Sequence, residues 1–339
     1  MSYELILGID VSKKTFDYSL MDLDGTILME GEHLNENQSI RIWLEELKEN
    51  FSIKGNELLI CMEESGYYAN HLLLEIDQSK IGGIWLESAL QIKRSMGIVR
   101  GKSDKVDARR IAVYALDFQR RAKLWSAPNA SVERLALLLS HRDRLVKNRL
   151  SILQPIEEQK GFISSSIQEE MEAVHDELIR SINKAIECLN KKIEELLKQN
   201  EQLNRQSNII KSIPGFGPVI SSKILISTHG FSRINTARKL ACYAGVAPFE
   251  YQSGTSIKGK TRVSHLANKD LKKMFHLAAL VTIRKGNIMH DYYKRKVAEG
   301  KNKMSVINAV RNKLIHIMMA CIDNDTIYQK NYKHSLVIT

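Results

Sequence analysis

Three short segments with strand periodicity crowd into the first thirty residues, separated only by turn-forming residues, and few folds accept that arrangement. Leu5–Asp10 (LILGID) is an apolar run ending in an acid. Thr15–Met21 alternates, with Phe16, Tyr18 and Leu20 on one face, as a half-buried strand does. Asp22-Leu-Asp-Gly25 is turn chemistry, so Thr26–Met29 returns as a third strand and completes an antiparallel meander. The period then switches. Ser39–Asn50 sets Ile40, Trp43, Leu44 and Leu47 at helical spacing, and Leu58–Met62 reads as a buried strand. A helix through His71, Leu72 and Leu74 and a fifth strand at Ile81–Leu86 follow. Three antiparallel strands succeeded by alternating helix and strand is the order of an α/β ribonuclease-H-like domain.

The middle of the chain is helical. Val132–Leu153 carries Leu135, Leu138, Leu139, Leu145 and Val146 on one stripe. Beyond Gly161, apolar residues from Ile167 to Leu196 recur in steps of three or four, which predicts an antiparallel hairpin or coiled-coil arm that also makes subunit contacts, with an ordinary helical bundle packing between domains as the competing reading. The rear opens at Ile213-Pro-Gly-Phe-Gly-Pro218, a glycine turn before the apolar run Val219–Ile226. This looks like the hairpin of a helix-hairpin-helix, where Gly215 and Gly217 let backbone N–H groups approach a phosphate. An ordinary turn is the competing reading. Helices follow at Thr236–Ala244, Lys269–Arg284 and Ser305–Ile322, so the C-terminal domain is mainly α. A chain of 339 residues divides on this pattern into 1–125, 126–205 and 206–339.

Charge separates these parts. Met1–Arg205 holds 28 Lys+Arg against 33 Asp+Glu, whereas Gln206–Thr339 holds 22 against 6, so a net +16 sits in the rear. Such a balance points to a polyanion partner for the rear, with a solvated basic surface as the competing reading. With 6% aromatic residues, phosphate contact is the expected mode rather than base stacking. Lys258, Lys260, Arg262, Lys272 and Lys273 are the candidate contacts. No run of about 18 apolar residues occurs, and Met1–Asp10 is too short and acidic for a signal peptide, so a cytoplasmic protein away from membranes is expected. Cys61, Cys188, Cys242 and Cys321 lie far apart, which argues against zinc or disulfides and for buried thiols.

Three acidic places carry the candidate chemistry. Asp10 ends the first strand, Glu63 and Glu64 end the Leu58–Met62 strand, and Asp104 and Asp107 open a helix in Gly101-Lys-Ser-Asp-Lys-Val-Asp-Ala-Arg109. In a ribonuclease-H-like sheet the first and fourth strands are adjacent, so these carboxylates converge and repel unless cations occupy the cluster. Oxygen ligands without His or Cys favour Mg²⁺ or Mn²⁺. Two such ions about 3.5–4 Å apart activate a hydroxyl or water and stabilise the leaving oxygen of a phosphodiester. Each acid also has an ordinary reading: Asp104 as a helix N-cap, Asp107 as an i,i+3 partner of Arg110, Asp10 as a turn acid.

Four stretches then identify a resemblance: GIDVSKKTFDYSL, CMEESGYY, GKSDKVDARRIA, and the rear segment from IPGFGPVISSKIL through KLACYAGVAPFEYQSG to KGKTRVSHLANKDLKKMFHLAAL. Together they resemble the DEDD transposases of bacterial insertion sequences, a group that includes the pilin-gene-inverting and bridge-RNA-guided recombinases. The resemblance implies an N-terminal domain like that of the RuvC Holliday-junction resolvase, with Mg²⁺ bound by Asp10, Glu63, Asp104 and Asp107. It also implies a nucleophilic serine within Glu250-Tyr-Gln-Ser-Gly254, mapped to Ser253, with Ser256 and Ser264 as alternatives. DNA, a structured guide RNA, and further copies of the chain as a dimer or tetramer are the implied partners. Two departures stand out. Ser103 replaces a common threonine and keeps its hydroxyl, and Ala267-Asn268 replaces the usual glycine-asparagine beside His265. The expected activity is cutting and rejoining DNA to move or invert a mobile element. The alternatives are a metal-dependent, structure-selective nuclease without strand transfer, and a nucleic-acid-binding protein without catalysis.

Overall fold

The computed structural model describes residues 3–64, 66–95, 104–127, 129–253, 257–263 and 266–330, without the side chains of 56 and 249–262. Ser103, Ser256, Ser264 and His265 lie outside the described residues. The chain divides into two compact units, Met1–Ala127 and Pro128–Thr339. Among the described residues no helix is long and apolar enough to cross a membrane.

The first unit is a five-stranded sheet built from β1 (Leu5–Val11), β2 (Thr15–Asp22), β3 (Ile27–Leu34), β4 (Leu58–Glu63) and β5 (Gly82–Glu87). Its strand order is β3-β2-β1-β4-β5, with β1, β2 and β3 antiparallel and β4 and β5 parallel to β1. The third strand extends five residues beyond the expected Met29, because Glu30 and Glu32 occupy the polar slots of an alternating strand at the sheet edge. Four helices cover the sheet: α1 (Asn37–Asn50), α2 (Asn70–Ser79), α3 (Ala89–Ser95) and α4 (Asp104–Phe118). One face buries Leu7, Ile9, Phe16 and Leu20 with Trp43 of α1 and Leu72 of α2. The other buries Ile6, Leu59, Cys61 and Trp85 against Ile111, Tyr114 and Ala115 of α4. Both faces are therefore apolar, as central strands of a three-layer unit require.

The second unit begins with a helical hairpin, α5 (Ala130–Gln159) and α6 (Ser165–Gln199). The α5 helix runs past the expected Leu153 and through Pro155, whose fixed φ suits a helix although it lacks the N–H. Next come α7 (Glu201–Ser212), α8 (Pro218–Thr228), α9 (Ala237–Tyr243), the hairpin β6 (Phe249–Ser253) and β7 (Ile257–Arg262), then α10 (Lys269–Thr282), α11 (His290–Ala298) and α12 (Lys303–Asp323). One core joins Leu135 and Leu139 of α5 and Leu196 of α6 to Leu225 of α8, Phe275 of α10 and Leu314 of α12. The base of the hairpin and the basic rear thus share a core, and α7 runs unbroken across residue 205. Lys223 cross-links the unit: its ammonium meets Asp143 of α5 at 2.7 Å and also pairs with Asp270 of α10. Burial opposes its charge, yet these two carboxylates hold its pKa above the usual lysine value.

The expectation of buried thiols holds for Cys61 alone. Cys188 is exposed and Cys242 and Cys321 are half-buried.

Candidate active site

Strand register builds the acidic edge. Asp10 of β1 pairs with Asp17 of β2, Asp17 pairs with Glu32 of β3, and Glu63 of β4 pairs with Glu87 of β5. The parallel β1–β4 ladder ends at Ile9↔Met62, so Asp10 and Glu63 are the next residue on each strand. Side chains in one rung of a sheet share a face, and Tyr114 of α4 identifies that face by donating its hydroxyl to Glu87 Oε2 at 3.1 Å. A row of five carboxylates therefore crosses the sheet on the α4 side. Spacing along the chain revealed two of them. Asp17, Glu32 and Glu87 were not singled out, because their significance depends on register.

The first turn of α4 adds Asp104 and Asp107. Gly8 makes this approach possible: a Cβ there would lie 2.3 Å from Ala112 N and 2.4 Å from Ala108 O. The helix therefore presses backbone against strand two residues before Asp10. Glu30 fixes the same helix laterally, accepting from Arg109 Nε at 2.8 Å and Nη2 at 2.7 Å and from Ser19 Oγ at 3.0 Å. These charge-assisted bonds hold the Glu30 carboxyl below the usual range.

Asp10 registers the result. Its pKa is pushed up to about 6, first by burial and then by the charges of Asp104, Asp107, Glu63 and Asp17. Asp17 is likewise raised, by burial and then chiefly by Glu32 and Asp104. The ordinary reading of Asp107 is also present, since Arg110 donates to it at 2.7 Å. Among the described residues, no three of His, Cys, Asp and Glu form a group that could hold a metal ion as they stand. The donor set nonetheless suits one kind of ion. It is all carboxylate oxygen, the kind of donor that Mg²⁺ and Mn²⁺ take, and burial and like charge both disfavour the ionised form of Asp10.

In the second unit, Ser253 closes β6 and pairs with Ile257, which puts it at the end of the β6–β7 hairpin. Lys258 and Lys260 lie on β7 and Arg262 ends it. Lys272 and Lys273 occupy the first turns of α10, whose N-terminus is capped by Asn268 accepting from Leu271 N at 2.9 Å. The departure Ala267-Asn268 therefore retains a helix cap. The glycine turn joins α7 to α8. Gly215 has φ +89°, and a Cβ there would meet Ala278 O at 2.8 Å. Gly217 precedes α8 without a side-chain cap and faces open space. The start of α8, Pro218 and Val219, lines a cleft of about 660 Å³ that also takes in Arg142, Lys198 and Lys211 together with Glu194 and Asn208. Unpaired backbone N–H groups at a helix start can donate to an anion.

The first unit thus gathers carboxylates from its strands and from the start of α4, and the second unit is basic. Residues 207–294 match the transposase IS116/IS110/IS902 family, and residues 7–159 match the IS110-type DEDD transposases. The chain belongs to this family of transposases, which act on DNA. Among its relatives, the pilin gene-inverting protein of Moraxella lacunata is 27% identical over 331 residues, covering 96% of this chain and 97% of the relative. That of Moraxella bovis is 27% identical and covers 70% of each chain. The insertion element IS900 uncharacterized 42 kDa protein of Mycobacterium paratuberculosis is 31% identical over 36% of this chain and 31% of its own length. Among solved structures, RuvC of Thermus thermophilus in complex with a Holliday junction substrate is similar, at 12% identity and a TM-score of 0.30, over 36% of this chain and all of that one.

Proposed function

We propose that the chain is a recombinase that cuts and rejoins DNA to move or invert a mobile element. In this reading its first unit is a RuvC-like, ribonuclease-H-like catalytic domain. The observation that supports it is the convergence of Glu63 of β4 and Asp104 and Asp107 of α4 on Asp10, whose pKa is raised first by burial and then by these charges. These four carboxylates would hold Mg²⁺ or Mn²⁺, which when bound supplies counter-charge and polarises a phosphodiester. Ser253 is the nucleophile. Its oxygen forms a bond to phosphorus as one ester oxygen leaves with the serine proton, and reversal by an incoming hydroxyl reseals the strand. Ser253 and the acids belong to different compact units, and in this reading they meet in the assembled complex.

The rear holds nucleic acid by phosphate contact through the Gly215–Gly217 turn, Lys258, Lys260, Arg262, Lys272 and Lys273. An element-encoded guide RNA is a second polyanion of the same chemistry. The outer hairpin is the subunit contact: Ile167, Met171, Val174 and Leu178 are exposed along one stripe of α6 that continues into the buried Ile186 and Ile193. Such a stripe fits the same stripe of another copy.

Denaturing a reaction on end-labelled DNA tests the reading. Label should travel with the wild-type protein, and Ser253→Ala should keep nucleic-acid binding while losing both adduct and strand exchange. Recombination without an adduct, or an active Ser253→Ala protein, would move the nucleophile to Ser256, Ser264 or water. Water as nucleophile describes a junction-resolving nuclease.

A further inference from the structure

We propose that Asn35 is a positioning residue that holds together the two loops leading away from Asp10 and Glu63. The proposal rests on the reading of those acids as ion ligands. The β1–β4 ladder ends at Ile9↔Met62, so no sheet pairing between these two strands holds the acids themselves. Beyond them the chains part, β1 turning through Ser12–Thr15 into β2 and β4 passing through the short helical turn Gly66–Ala69 into α2. Two like charges at the point of parting favour separation.

One side chain spans the gap. Asn35, between β3 and α1, is 8% exposed. Its Nδ2 donates to Ser12 O at 3.0 Å and to Tyr68 O at 2.9 Å, and its backbone N–H donates to Lys14 O at 2.9 Å. Both amide hydrogens point at carbonyls, which fixes the orientation of the group. Its Oδ1 is buried without a partner among the described residues. An unpaired buried acceptor costs stability, so the residue is not explained by its own hydrogen-bond balance. What it does is fasten a point two residues after Asp10 to a point five residues after Glu63.

Asn35→Asp keeps the shape but removes both donors, and Asn35→Ser keeps one. In the full-length protein, Mn²⁺ affinity read by electron paramagnetic resonance should fall by about 10- to 100-fold in Asn35→Asp, with Asn35→Ser between it and wild type. The Mg²⁺ concentration for half-maximal cleavage should rise in the same order, while DNA binding in chelator stays unchanged. Amide exchange in Ser12–Thr15 and Gly66–Ala69 of the metal-free protein should quicken together. Native Mn²⁺ affinity in both variants overturns the proposal, and so does global unfolding of both, which would make Asn35 a tie of the whole unit. If wild type binds no Mn²⁺ and cleaves in chelator, the metal reading fails instead, and amide exchange alone then decides the clamp.

Discussion

Asp10 is where burial and like charge act in the same direction, and its protonation should be visible in stability. Its folded pKa of about 6 lies above the ordinary 3.8. A raised folded pKa means that the fold favours the protonated form. The group's contribution is therefore fully present below about pH 4 and is lost as pH rises through about 6. Discounted for its half-exposed position, the loss at pH 8 is about 1 kcal/mol. Asp10→Asn should accordingly raise the melting temperature of the metal-free protein by about 2–4 °C at pH 8 and leave it unchanged at pH 4. Cleavage should vanish in the same variant. A melting temperature that falls at pH 8 would mean that the Asp10 charge is compensated by a group outside the acidic edge. Asp10, Glu63, Glu64, Asp104 and Asp107 stand out as candidates in the sequence because each ends a strand pattern or opens a helix, and the family resemblance alone prefers Glu63 to Glu64. Asp17 sits in the polar slot of an alternating strand and Asn35 in a junction, positions that any polar residue fills. Their meaning arises only when neighbouring strands are paired.

At the scale of elements, Gly8 decides how closely α4 meets β1, and with that where Asp104 and Asp107 stand. The space that a Cβ would need is held by backbone atoms of Ala108 and Ala112, which cannot yield unless the helix moves. Gly8→Ala should cost about 1–3 kcal/mol of stability. It should abolish cleavage at temperatures where circular dichroism still shows a folded protein. Full activity in folded Gly8→Ala would show that the helix start does not have to meet Asp10. The five strands and α1, α2, α8, α9, α10 and α12 were readable because burial imposes an apolar run or a period on each of them. The β6–β7 hairpin and α11 were not. The strands FEYQS and IKGKTR are short and mostly polar, and α11 (HDYYKRKVA) has no fully buried residue, so neither writes a strong apolar period.

For the whole molecule, charge and compact units coincide. Met1–Ala127 carries 16 Lys+Arg against 20 Asp+Glu, and Pro128–Thr339 carries 34 against 19. An acidic unit is repelled by a phosphate backbone unless its carboxylates are neutralised, whereas the basic unit is drawn to it without any ion. Binding and cutting should therefore separate cleanly by divalent ion. A fragment starting at Gln206 would sever α7 and expose the core it shares with α5 and α6, so the measurement belongs on the full chain, with Asp10→Asn preventing cleavage. In chelator, the logarithm of the DNA association constant should fall linearly with the logarithm of salt concentration. Lys272→Ala and Lys273→Ala should each reduce that slope by about 0.9. The reduction should be the same on unrelated DNA sequences, because a phosphate contact carries no base information. Slopes unchanged in both variants would exclude the start of α10 from the DNA path. A loss confined to one sequence would convert these lysines from phosphate contacts into readers of bases.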